Sequence, residues 1–72
     1  MRKRSITIDG HRTSISLEDA FWNELAAVAL ERGLSLNALV SEIDHARGTT
    51  GNLSSALRLH VLDVLRRRAR SA

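Results

Sequence analysis

The stretch HRTSISLEDAFWNEL, His11 to Leu25, changes period partway along. Polar and apolar residues alternate from Arg12 to Leu17, and beyond Leu17 the apolar residues return at helical spacing. The first part predicts a strand over residues 12–17 and the second a helix directly behind it. A lone strand leaves its backbone donors and acceptors without partners. A second strand must therefore come from elsewhere in this chain or from a second copy of it.

The chain has 72 residues, enough for one domain, and a chain of this size buries only a modest share of its surface. Oligomerisation is one way to enlarge such a core. Without cysteine it has no disulfide, thiolate metal site or cysteine nucleophile. Phe21 and Trp22 are its only aromatics, which argues against a platform on which bases stack. No apolar run nears the roughly 20 residues of a membrane span, and the basic start MRKRSITIDGH lacks the apolar stretch of a signal peptide. The expectation is a soluble, cytoplasmic protein with no membrane partner, nucleoid-associated if it binds DNA.

With no proline, no repeat and no low-complexity linker, residues 5–69 read as continuous structure. A first helix is expected over residues 18–32. Glu18 and Asp19 suit the positive end of its dipole, and Ser16 with Asp19 has the spacing of a capping box. Trp22, Leu25, Ala26, Val28 and Ala29 give it an apolar stripe. In ERGLS, Gly33 can end the helix in the left-handed conformation, Leu34 can pack back, and Ser35 can cap a second helix over residues 36–47. Leu36, Leu39, Val40 and Ile43 form the buried side of that helix. RGTTGN, Arg47 to Asn52, reads as a loop, and Asn52 as the cap of a third helix over residues 53–68, with a tail over 69–72. The band formed by Leu53, Ala56, Leu57, His60, Val61, Val64 and Leu65 is wider than two short helices of one chain can cover, which points to a second subunit.

Strand, helix, glycine turn, helix is the order in which the sequence resembles the ribbon-helix-helix family of bacterial and phage regulators, which includes the Arc, MetJ and CopG repressors. The residues that carry the resemblance are RTSISLEDAFWNELAAVALERGLSLNALVSEI, Arg12 to Ile43. The whole also looks like a small bacterial subfamily that keeps the HRTSISLE start and adds a GNLSSALR third helix. The resemblance implies a mostly α fold with a short β ribbon. It implies a homodimer in which the strand pairs antiparallel with the same strand of a second subunit and the helices form the core beneath. A core or dimer role is then expected for Ile15, Leu17, Trp22, Leu25, Val28, Leu36, Leu39, Val40, Ile43, Leu57 and Val61. The resemblance assigns base reading to the outward strand residues Arg12, Ser14 and Ser16, and phosphate contact to the second helix start at Ser35, Leu36 and Asn37. A helix N-terminus favours anions by its free N–H groups and dipole.

The residues before Arg12 allow two arrangements. Asp9-Gly10 is a strong two-residue hairpin signal. If that turn forms, Ile8 pairs with His11 and Ile6 with Thr13, which puts Ile6, Ile8, His11, Thr13, Ile15 and Leu17 on one face and Ser5, Thr7, Arg12, Ser14 and Ser16 on the other. The dimer sheet would then have four strands, and at about 4.8 Å per spacing its backbone would span roughly 14 Å. That is wider than a major groove of about 12 Å, so a fixed four-stranded sheet argues for a protein-binding or otherwise altered function. Otherwise residues 1–8 form a basic arm, with Arg2, Lys3 and Arg4 on phosphates.

Charge is divided along the chain, +3 over residues 1–17, −4 over 18–47 and +4 over 48–72. Basic ends around an acidic middle suit a polyanion facing the strand region. An enzyme is not expected, nor a cofactor or metal. His11, His45 and His60 share no ligand spacing, and the adjacent Asp44 and His45 point to different sides of a helix. The expected function is a homodimeric, sequence-specific DNA-binding protein, a transcriptional repressor that regulates its own gene by inserting an antiparallel two-stranded ribbon into the major groove. The alternative is a ribbon-helix-helix-derived module that holds a protein partner and does not bind DNA specifically.

Overall fold

Asp9 and Gly10 both have positive φ, 52° and 79°, as the tightest hairpin turns require. They join β1 (Arg2–Ile8) to β2 (His11–Leu17) in an antiparallel ribbon whose register runs from Ile8 opposite His11 to Arg2 opposite Leu17. The computed structural model describes residues 2–48 and 51–71; Thr49 and Thr50, in the middle of the expected RGTTGN loop, and Ala72 of the expected tail lie outside the described residues. Of the two arrangements open for the N-terminal segment, the strand is the one formed. The partner of β2 thus comes from within the chain.

Three helices follow, α1 (Asp19–Arg32), α2 (Leu36–Arg47) and α3 (Leu53–Ser71). The first departs from the expected cap, because Ser16 belongs to β2 and the residue before the helix, Glu18, makes no side-chain capping bond. Glu18 instead turns its carboxylate to Arg58 on α3 at 2.9 Å, so a tertiary ion pair replaces a local cap. Gly33, with φ 68°, ends α1 as a Schellman turn: its N–H reaches the Leu30 carbonyl and that of Leu34 the Ala29 carbonyl. Ser35 then caps α2, its Oγ accepting from the Ala38 N–H at 3.0 Å, and Asn52 does the same for Ser55 at the start of α3. The third helix runs three residues past the expected end at Arg68, and Arg67 there pairs with Asp63 one turn earlier.

On one face of the ribbon α2 packs against β1 and α3 against β2, and α1 packs against both of these helices. Ile6, Ile8, Ile15 and Leu17 are buried there with Leu25, Val28 and Ala29 of α1, Leu39, Val40 and Ile43 of α2, and Leu57 and Val61 of α3. Trp22 and Leu36 are partly buried at the edge of this cluster. Two members of the expected apolar sets sit elsewhere. Ala26 is exposed, one position off the buried stripe of α1, and Leu65 is exposed one turn beyond the buried Val61 of α3. His11 and Thr13 share the helix-facing side of the ribbon but line an open cleft with Asp9, Asp44, Arg47 and Leu53.

Candidate nucleic-acid interface

The backbone of the ribbon identifies which groups face outward. The Asn37 side chain accepts from the Thr7 N–H at 3.1 Å and donates to the Thr7 carbonyl at 2.7 Å. Both backbone groups of Thr7 therefore point away from β2, and Thr7↔Arg12 is a non-hydrogen-bonded pair. Because such pairs alternate with bonded ones, Ser5↔Ser14 and Lys3↔Ser16 are of the same kind. The Ser16 carbonyl fits this pattern, accepting from Ser54 Oγ at the start of α3 at 3.1 Å. One edge of the ribbon is thus tied to the start of α2 and the other to the start of α3.

The side chains of these three pairs share the face opposite the helices. Lys3, Ser5, Thr7, Arg12, Ser14 and Ser16 are all exposed, and none is acidic or apolar. Arg12, Ser14 and Ser16, the expected base readers, lie together on this face. The four hydroxyls can both donate and accept, and the two cations stand at diagonally opposite corners. A two-stranded ribbon is about the size a major groove admits.

The residues assigned to phosphate are distributed differently. Lys3 is on the outward face, whereas Arg4 stands opposite Ile15 and turns toward the helices. Its guanidinium lies 4.8 Å from the Trp22 ring centroid and 3.3 Å from an Asp19 carboxylate oxygen, which makes it a lid on the core. Arg2, opposite Leu17, is exposed on the helix-facing side at the open end of the ribbon. Ser35 is engaged as a cap, Leu36 packs against the core, and the Asn37 side chain is held by Thr7. The phosphate contact expected here belongs to the backbone N–H groups at the start of α2, which these side-chain engagements leave in place.

Two of the ion pairs among the described residues fasten the turn of the ribbon and the start of α1. His45, near the end of α2, places Nε2 2.8 Å from Asp9 in the turn, and that hydrogen bond and charge hold the imidazole above its ordinary pKa. Arg58 at Glu18 holds that carboxyl below the usual range, chiefly through their hydrogen bond. Among the described residues no group of three His, Asp or Glu side chains is placed to hold a metal, and no helix is long and apolar enough to cross a membrane.

The register also relates the outward residues of the two strands. The axis perpendicular to the ribbon through the Ser5↔Ser14 pair carries each β1 residue onto the one nine positions later. Lys3 falls on Arg12, Ser5 on Ser14, Ile6 on Ile15, Thr7 on Ser16 and Ile8 on Leu17, whereas Arg2 falls on His11 and Arg4 on Thr13, which differ in chemistry. The edge ties fall on related residues, since Asn37 holds Thr7 and Ser54 holds Ser16. Ser5 and Thr7 share the outward face that the sequence predicts, but only Arg12, Ser14 and Ser16 carry an expected base contact there. Comparison of KRSITI with RTSISL at that nine-residue offset is the signal that would have singled out Ser5 and Thr7.

The family model for the ribbon-helix-helix domain matches residues 1–65, a span that includes both strands and most of α3. No curated protein and no solved structure matches the chain.

Proposed function

The chain belongs to the ribbon-helix-helix family, and from that premise we propose that it is a sequence-specific DNA-binding repressor that acts on its own gene and lays the outward face of its ribbon into the major groove. The observation that carries this reading is the face itself, a two-stranded ribbon with two cations and four hydroxyls, all exposed. The ribbon supplies this face within one chain. A major groove of about 12 Å therefore need not take the four-stranded sheet of roughly 14 Å that joining the β2 strands of two copies would make. Arg12 can fork onto guanine O6 and N7, while Ser14 and Ser16 can meet several bases.

The working form in this proposal is a homodimer. Leu30 on α1 and Leu59, Leu62 and Leu65 on α3 are exposed, and Leu62 and Leu65 lie two to three turns from Ser54 at the ribbon edge. A second copy can cover this part of α3 and leave the outward face of the ribbon open.

The test is selection of a duplex from a random library with the purified protein, followed by binding of Arg12→Ala to the selected site. The substitution is expected to cost about 1–3 kcal/mol on that site and much less on random duplex. If no sequence is enriched and retention on DNA disappears at moderate salt, the regulator reading fails. A module that holds a protein partner then takes its place, with the outward face available to that partner.

A further inference from the structure

The ribbon of one chain has the symmetry that a palindromic DNA site would require of two chains. Resting on the DNA-binding reading above, we propose that β1 is the second half of the reader: Lys3, Ser5 and Thr7 contact bases in the way Arg12, Ser14 and Ser16 do, so that a single chain reads a short inverted repeat. Two observations support this, the match of the outward triplets within the register and the helix ties at the ribbon edges. The outward triplets are chemically matched, a cation, a serine and a second hydroxyl in the same order along each strand. The register superposes them on a two-fold axis through Ser5↔Ser14. The helix ties fall on the related residues Thr7 and Ser16, Asn37 bonding both backbone groups of Thr7 and Ser54 the carbonyl of Ser16, so each strand is anchored at its edge by a helix start.

Lys3 is also chemically free for the task. It is exposed on the outward face, while the neighbouring Arg4 is turned under the ribbon by Trp22 and Asp19. The two cations stand at opposite ends of their strands. Lys3 faces Ser16 across the ribbon, and Arg12 is four residues from Ser16, about 14 Å at about 3.4 Å per residue. A ribbon lying along the groove therefore places the two cations over base pairs about four apart, at about 3.4 Å per step. Their targets are related by the dyad of the site.

The experiment compares the duplexes selected by the unchanged full chain, by Lys3→Ala and by Arg12→Ala, each first shown to keep its helical circular dichroism. Lys3→Ala is expected to weaken the selected site about five- to a hundredfold, random duplex much less, and to relax base preference at the position dyad-related to the one relaxed by Arg12→Ala. An equal loss on selected and random duplex, with a smaller salt slope, would make Lys3 a backbone contact and overturn the proposal. So would an unchanged affinity, or relaxation at a position unrelated by the dyad. Failure of the unchanged protein to enrich any sequence removes the DNA-binding reading itself. Enrichment by the unchanged protein with a uniform effect of Lys3→Ala removes only the role of β1.

Discussion

Asn37 satisfies both outward backbone groups of Thr7, so that the first turn of α2 acts as a one-residue third strand on the edge of the ribbon. An edge strand whose N–H and C=O are taken up in this way is protected from pairing with another chain at that point. Each hydrogen bond of this kind contributes about 0.5–1.5 kcal/mol net, and the exposure of Asn37 places the pair toward the lower end. Asn37→Ala is expected to lower stability by about 1 kcal/mol in urea unfolding and to speed amide exchange at Thr7 above all. Asn37→Asp, which can accept but not donate, should fall between the two. Unchanged exchange at Thr7 in Asn37→Ala would show that α2 does not hold this edge.

The turn of the ribbon is fastened by a titrating group. Asp9 raises the pKa of His45, so the folded state holds the imidazole proton more tightly than the unfolded chain does. The resulting stabilisation is fully present below the unfolded value near 6.5 and is lost as pH rises through the higher folded value. The expected outcome is a larger fall in Tm between pH 5.5 and 8.5 for the unchanged chain than for Asp9→Asn. Asparagine tolerates the positive φ of position 9, so the turn itself is retained. Equal pH dependence in the two proteins would mean that the pair does not form in solution.

The opposite sign holds at the start of α1. Arg58 lowers the pKa of Glu18, so this pair stabilises above the ordinary carboxyl value near 4.5, and the contribution is lost as pH falls through the depressed one. Glu18→Gln is expected to flatten part of the acid limb of a stability profile and to leave the limb above pH 6.5 as it was. A profile unchanged below pH 5 would argue that Glu18 and Arg58 stay apart.

Period and turn chemistry made most of the architecture legible. The alternation in RTSISL, the Asp9-Gly10 signal and the glycine and serine of ERGLS each act through a few neighbouring residues, and each is realised in the ribbon and the Schellman turn. What could not be read was decided by contacts distant in sequence. Arg4 is basic and near a terminus, which suggested an arm, but one inward register position puts it on Trp22. Asn37 looked like a helix-start polar residue until the α2–β1 packing brought it to Thr7, thirty positions earlier. Ser16 had capping-box spacing, yet strand pairing extends through Leu17 and leaves the helix start to Glu18 and its partner on α3. The likeness of the two outward triplets is hard to see in the sequence for a related reason, since their cation and hydroxyl positions match in chemistry more than in identity.

Leu39 tests the core independently of function. Its side chain is fully buried among residues of both strands and all three helices. Leu39→Ala is expected to cost about 2–5 kcal/mol by lost burial and residual cavity, a large part of the stability of a domain this small. Urea unfolding measures it. A loss well below about 2 kcal/mol would mean that α2 turns a different side to the core.

Leu59 and Leu62 separate a working dimer from a working monomer. They are 64% and 41% exposed in one chain, and a substitution at such surface positions ordinarily changes stability by no more than about 0.5 kcal/mol. If a second copy covers α3, the same positions become buried and the cost rises toward that of a core truncation. The unchanged chain is then expected to sediment as a dimer at low micromolar concentration, with a Tm that rises with protein concentration. Leu62→Arg should shift it to monomer while the circular dichroism of the helices remains, because Leu62 is not part of the buried cluster within the chain. The order of the two measurements matters. A monomeric unchanged chain ends the dimer proposal and leaves the single-chain ribbon as the whole DNA-binding unit. A dimer that survives both Leu59→Arg and Leu62→Arg places the interface elsewhere, and the open edge of β2 at Arg12 and Ser14 becomes its site. In that case the sheet would have four strands, too wide for the groove, and Arg12→Ala would lower dimer stability instead of sequence preference.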